Sequence, residues 1–113
     1  MKIIRKNQAK FFKNSEVCDV FEYDSGHTDL GGAVVEVRGR YPDSGWVMNS
    51  ECREMAYILK GKGLISVEGV ERDFAAGNLI LIEAGEKYFW EGNFSAFLFS
   101  VPAWSVGQYK TVD

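Results

Sequence analysis

Hydrophobic and polar positions along this chain alternate over short distances, and no window carries a sustained stripe at the 3.6-residue helical period. Residues 33–38, Ala-Val-Val-Glu-Val-Arg, are strongly β-prone and run into Gly39. Residues 39–53 are broken by Pro42, Gly45 and Asn49 and read at least partly as loop. Residues 54–60 read as a strand closed by Gly61 and Gly63. Residues 64–67 and 70–74 flank Glu68-Gly69, the signature of a hairpin. A turn at Gly77 leads to a strand at 79–82, and a second turn at 84–86 leads to 87–91. Gly92-Asn93 reads as a further tight turn before an apolar strand at 94–101, and Pro102 interrupts the pattern before 104–109. Weaker strands are expected near 2–5 and 17–23.

Short strands with turns about every 8–12 residues predict an all-β sandwich or barrel and exclude a helical fold. The length, 113 residues, suits a single domain over 1–113, with N-terminal strands in about 1–30 and the main strands in 33–101. With 46% hydrophobic and 14% aromatic residues the chain has the material for a core, which excludes global disorder. The aromatic side chains are expected mostly in that core, with some available to a pocket or an interface.

Charge narrows the partners. The net charge is -3, and Lys2, Arg5, Lys6, Lys10 and Lys13 form a small basic cluster without a recognition motif. Nucleic acid is therefore not expected as a partner. No apolar stretch approaches a membrane span, and the N-terminus has no signal-peptide core, so a cytoplasmic location is expected. Cys18 and Cys52 lack metal-site spacing and are expected as reduced thiols. The one histidine, His27, falls in the polar run Asp24-Ser-Gly-His-Thr-Asp and reads as an exposed loop residue.

Residues 45–92 resemble the cupin superfamily. The first cupin motif ends in a glutamate, six residues and a glycine, matched by Glu54, Met-Ala-Tyr-Ile-Leu-Lys and Gly61, with Gly63 following. The second is matched by Gly77, Asn-Leu-Ile-Leu-Ile, Glu83-Ala84-Gly85 and then Glu86-Lys87-Tyr88. The resemblance covers about half the chain and implies an antiparallel jelly-roll β-barrel. It also implies where a metal would be held, and there the chain departs from the pattern. The stretch that supplies two histidines in metal-binding cupins reads Val47-Met48-Asn49-Ser50-Glu51-Cys52-Arg53, and the third histidine position holds Tyr88. Glu83 stands where the family's proline does. Of the usual set only Glu54 is present, so neither a metal nor another cofactor is expected. Glu51, Cys52 and Glu54 are the only candidates for an unorthodox metal site.

If Glu54 points inward, as its counterpart does in cupins, the two-residue strand period brings Ala56 and Ile58 to the same face, and Tyr88 brings Trp90. With Trp46 these form the expected ligand-binding set: Trp46, Glu54, Ala56, Ile58, Tyr88 and Trp90. Such a mixture suits a small polar or amphipathic metabolite. Each residue also has a structural role open to it: Glu54 and Tyr88 as a satisfied buried pair, the tryptophans as packing. Arg38, Arg40 and Arg53 offer charge for an anionic ligand or serve as solvated surface. Three functions follow. The first is a metal-free binding module. The second is a metal-independent isomerase or epimerase with Glu54 as base and Tyr88 as proton donor. The third is a homodimeric interaction protein, formed by strand pairing between barrels, with Phe11-Phe12 and residues 104–109 as contact surfaces.

Overall fold

The computed structural model describes residues 1–113 and is mostly strand. In chain order the strands are β1 (Lys10–Ser15), β2 (Cys18–Tyr23), β3 (Gly31–Tyr41), β4 (Trp46–Asn49), β5 (Arg53–Val67), β6 (Val70–Ala75), β7 (Leu79–Ile82), β8 (Tyr88–Val101) and β9 (Tyr109–Val112). Two short 3-10 turns lie at Lys6–Gln8 and Val106–Gln108. All the pairings are antiparallel.

β8 is the central strand, with β3 along one edge and β5 along the other over nearly its whole length. Beyond β5 lie β7, against its first half, and β6, against its second. Beyond the first part of β3 lie β2 and β1, while β4 continues the β3 side and pairs with β9. The sheet therefore has two halves. One runs β7-β5-β8-β3-β2-β1, and the other holds β6, the far ends of β5, β8 and β3, and β4 with β9. Inward residues from both halves, such as Ala56 and Ile58 from one and Ile65, Trp90 and Phe74 from the other, meet in one core cluster. The sheet must curl to bring them together, and the result is the antiparallel barrel that the strand pattern predicts.

Glycine makes that curl possible. Gly39, Gly92 and Gly63 lie in register on β3, β8 and β5. At Gly92 φ is +151°, and a Cβ there would sit 2.5 Å from the Lys62 carbonyl oxygen. At Gly61 φ is +85° and a Cβ would collide with the Asn93 carbonyl oxygen. Only glycine lets the central strands approach this closely while they bend. A bulge between Ile58 and Lys60 adds local twist beside the same crease.

This corrects the turns expected at Gly61, Gly63 and Gly92-Asn93. Those residues lie inside two long strands, because glycine marks a bend and close approach as readily as a chain reversal. The Glu68-Gly69 hairpin is present, with φ of +50° and +82° at its two residues. Glu68 tolerates the left-handed conformation while its carboxylate accepts the Lys87 N–H at 2.6 Å. The turn at Gly77 is closed by Asn78, whose side chain accepts the Ala75 N–H at 2.8 Å. The strand expected near 2–5 lies instead at 10–15, where Phe11 and Phe12 find partners on β2. Residues 104–109 are mostly loop and 3-10 turn, and pairing with β4 begins only at Tyr109. No helix is long and apolar enough to cross a membrane.

Candidate functional site

The inward alternation of β5 continues to its first residues, so Glu54 is buried on the same face as Ala56 and Ile58. β8 lies alongside in a register that sets Ser100 opposite Glu54, and Tyr88, at the other end of β8, reaches the same point from across the curl. Asn49, the last residue of β4, completes the group.

The polarity of this cluster can be assigned. The Trp104 indole N–H, which can only donate, lies 2.9 Å from Asn49 Oδ1. That contact fixes the amide, so Asn49 Nδ2 faces Glu54 Oε1 at 3.0 Å and the Tyr88 hydroxyl at 3.4 Å. Having accepted from Asn49, the Tyr88 hydroxyl donates toward Glu54 Oε1 at 3.5 Å. Ser100 Oγ donates to Glu54 Oε2 at 3.4 Å. A carboxylate has about four lone-pair sites. Three donors leave Oε2 with one to offer. Burial pushes the Glu54 pKa up from the usual carboxylate range, and the Ser100, Tyr88 and Asn49 hydrogen bonds partly oppose it.

The cluster opens on a cavity of about 490 Å³ inside the barrel. Glu54, Tyr88, Trp90 and Ser100 lie on its wall, with Tyr41, Trp104 and Tyr109 beside them. Tyr41 and Tyr109 join their hydroxyls, and burial raises both phenols as it does Tyr88, so all three stay protonated. The opposite wall comes from β2 and β3, chiefly Cys18, Val20, Val35 and Val37. The loop between β2 and β3 brings His27 and Asp24 to the same cavity. The space is mostly apolar and aromatic with a few directed polar groups, as small-molecule sites are.

Of the residues expected to line a pocket, Glu54, Tyr88 and Trp90 are brought together there. Ala56 and Ile58 share the inward face but are packed within the core, off the cavity wall. Trp46 lies outside the cavity: it packs edge-on against Phe89, and the Arg40 guanidinium sits over the Phe89 ring at 3.8 Å from its centroid. β4 puts Val47 and Asn49 inward, and the two-residue period then turns Trp46 away. Arg38 pairs with Asp19, and neither it, Arg40 nor Arg53 reaches the cavity.

Asn49, Ser100, Tyr41 and Trp104 belong to the site without having been singled out for it in the sequence. Ser100 was within reach, since it shares the two-residue period of Ala96 on β8. Asn49 and Trp104 had no such signal, because both depend on where loops close.

The fold family implies a metal, and the donors here do not fit one. Glu54 is met by an amide NH₂ and two hydroxyls that point hydrogens at it, where a metal would need lone pairs. No group of three or more His, Cys, Asp or Glu side chains is placed to hold a metal ion. Glu51 is exposed, and Cys52 is a buried thiol pushed up to about 12, chiefly by burial. Cys18 is likewise pushed up to about 12 by burial, so neither thiol is an activated nucleophile.

One prediction isolates the anchoring contact. Trp104→Phe keeps an aromatic ring but removes the N–H together with the five-membered half of the indole, and should cost about 1–3 kcal/mol in urea unfolding. With the Asn49 amide no longer held, the Glu54 carboxyl should titrate at still higher pH by carbon-detected NMR.

A model of the EutQ-like cupin domain matches residues 40–97. No curated protein sequence matches the chain closely enough to count as a relative. Among solved structures, a variant of Streptomyces PAC13 with uridine is 16% identical, covers 100% of this chain and 92% of its own, and superposes with a TM-score of 0.90. Pac13 is a nucleoside dehydratase. Ectoine synthase from P. lautus is 11% identical with a TM-score of 0.76, covering 100% of this chain and 91% of its own. KdgF from Halomonas sp. is 14% identical with a TM-score of 0.68, covering 89% and 94%. At these identities the likeness shows the fold.

Proposed function

The chain belongs to the EutQ-like cupin family, and on that premise we propose that its barrel is a small-molecule site for a ring-bearing, hydroxylated ligand of nucleoside size, held through Glu54. The observation that carries this reading is the Glu54 carboxylate. It is buried on the wall of a 490 Å³ cavity, held by donors of fixed polarity, with a lone pair of Oε2 left over. A hydroxyl or N–H of a ligand satisfies that lone pair, and a buried acceptor gains most from such a partner. The aromatic faces of Trp90, Trp104 and Tyr109 suit a flat ring. Uridine accompanies a protein of the same fold, which makes it the natural first probe.

A second reading rests on the same carboxylate. Burial holds its pKa above the ordinary range, as a general base requires, so a substrate seated in the cavity loses a proton to Glu54. Tyr88 then orients the base and keeps its own proton. Base-catalysed isomerisation and epimerisation, in which the proton is then returned at another position or face, and base-catalysed dehydration, in which hydroxide then leaves, begin with such a transfer.

The test is a thermal-shift and calorimetric survey of uridine, other nucleosides and free sugars. A ligand at a hundred times its Kd adds about 2.7 kcal/mol to stability, enough to raise the melting temperature by roughly ten degrees in a domain of this size. Binding that Glu54→Gln and Tyr88→Phe both leave unchanged would show that the ligand sits elsewhere, and the reading would fall.

A further inference from the structure

Charge on the wall of the cavity has one sign. Glu22, Asp24 and Glu54 line it, and no Lys or Arg does, although the chain carries 13 of them. His27, exposed on the loop between β2 and β3, is the one side chain of the wall able to hold a positive charge. Two lysines come close in the fold without joining the wall. Lys2 donates to the Ser25 carbonyl at 2.8 Å, and Lys10, opposite Glu22 in register on β1, is exposed and forms no ion pair.

Alternation puts Glu22 on the cavity. Cys18, Val20 and Glu22 share one side of β2, and Glu22 ends a row that runs Ala56, Leu98, Ala33 across β5, β8 and β3. Glu54 is the next inward residue of β5 beside Ala56. The two carboxylates therefore stand three strands apart, roughly 14 Å along the sheet at ~4.8 Å per strand, a span that the curl and the inward side chains shorten. Glu22 is half-buried and takes part in neither ion pair of the protein, both of which use Asp19. Asp24 accepts the Gly26 N–H at 2.8 Å through Oδ1, so its Oδ2 is left to the mouth. Phe12, Trp104 and Tyr109, expected from sequence on a contact surface, line this cavity.

An anion brought into such a space meets like charge, with no guanidinium or ammonium to receive it, and away from bulk water that repulsion is strong. A cation meets carboxylates from two sides. Between them it meets the rings of Trp90, Trp104 and Tyr109, whose faces attract positive charge. We infer that the ligand of this cavity carries a protonated amine, held at the Glu22 and Asp24 end while a hydroxyl of the same molecule meets Glu54. Phosphorylated and carboxylated ligands are excluded. The inference rests on the cavity being a small-molecule site and adds the charge of what that site takes.

Titration calorimetry with two matched series tests it, each varying only the charge at one end of a scaffold. One series is 5′-amino-5′-deoxyuridine, uridine and uridine 5′-phosphate. The other is tyramine, tyrosol and 4-hydroxyphenylacetate. In a series that binds, the amine should bind at least about tenfold tighter than the neutral compound, and the anion at least about tenfold weaker. Glu22→Gln combined with Asp24→Asn should bring the amine to within about threefold of the neutral compound. Asparagine keeps an acceptor for the Gly26 N–H and neither position is fully buried, so melting should stay that of a folded chain. Neutral compounds that bind as well as the amines, or an anion that binds best, overturn the inference and leave the small-molecule site standing. A preference that survives the double substitution also overturns it, because the charge is then read elsewhere. Binding by none of the six removes the inference and the site reading together.

Discussion

Glu54→Gln should weaken the cavity's ligand by about tenfold to a hundredfold at pH 8, the loss of one charge-assisted hydrogen bond. Where the ligand is also a substrate, turnover should fall by about 10²–10⁴, the usual worth of a positioned general base. Glutamine keeps the shape of the side chain and its carbonyl can still accept from Ser100 or Asn49. It cannot take a proton, and it sets an NH₂ among groups that already donate. Calorimetry with the ligand found for the wild type reads the first effect, and initial rates read the second. An unchanged affinity and rate would remove Glu54 from any role beyond the fold.

The same substitution has a signature in stability that needs no ligand. Burial raises the Glu54 pKa in the folded protein above its unfolded value. Between those two values the native state binds more protons than the unfolded state, so stability falls as pH rises through that window. The contribution is fully present below the usual carboxylate range and lost above the raised folded value. Glu54→Gln should therefore flatten the decline in urea midpoint from acid toward neutral pH. A wild-type profile that rises across this window would contradict the raised value.

Gly92→Ala should be the most damaging single change outside the site, costing about 4 kcal/mol or more. Two penalties combine. The φ of +151° disfavours any side chain, and the new Cβ would meet the Lys62 carbonyl oxygen at 2.5 Å and the Gly63 Cα at 2.6 Å. Those contacts are backbone on a central strand, which cannot step aside as a flexible side chain would. Against a total of about 5–15 kcal/mol for a domain, such a loss leaves little or no folded protein. Equilibrium urea unfolding measures it. Gly69→Ala is the control, because it shares a positive φ of +82° yet has open space around it, and it should cost only about 1 kcal/mol. Equal effects at the two positions would show that conformation alone matters and that the crease is no tighter than a surface turn.

Those two glycines also show where reading the chain stops. Short range determined the strands: the period of two in 54–58, the Glu68-Gly69 hairpin, the turn at Gly77 and the end of β8 before Pro102 all follow from neighbours in sequence. The spacing of Glu54, Gly61 and Gly77 with Tyr88 carried the family resemblance, and Gly61 and Gly77 stand at positive φ, a backbone requirement set locally. Local preference cannot distinguish a glycine that reverses the chain from one that lets two strands touch. Gly69 does the first and Gly92 the second.

The candidate site divides along the same line. Glu54, Tyr88 and Trp90 were legible, since alternation fixes which way a strand residue points once one neighbour is placed. Trp46, named in the expected ligand-binding set, turns away from the cavity because its direction depends on the register of β4 against β8 and β9, which no local pattern encodes. Asn49 and Ser100 met Glu54 only when β4 and β8 closed around it, and Trp104 only when the chain after Pro102 folded back across the barrel. The charge of the cavity is the clearest case. Glu22 looks like an ordinary surface position along its own strand, and only the pairing of β2, β3, β8 and β5 sets it on one wall with Glu54. Sequence alone determined the type and the alternation of the strands, since these depend on bonded neighbours. Tertiary structure alone decided which faces meet, which are left in water and which polar groups share a cavity, because those are properties of register and curl.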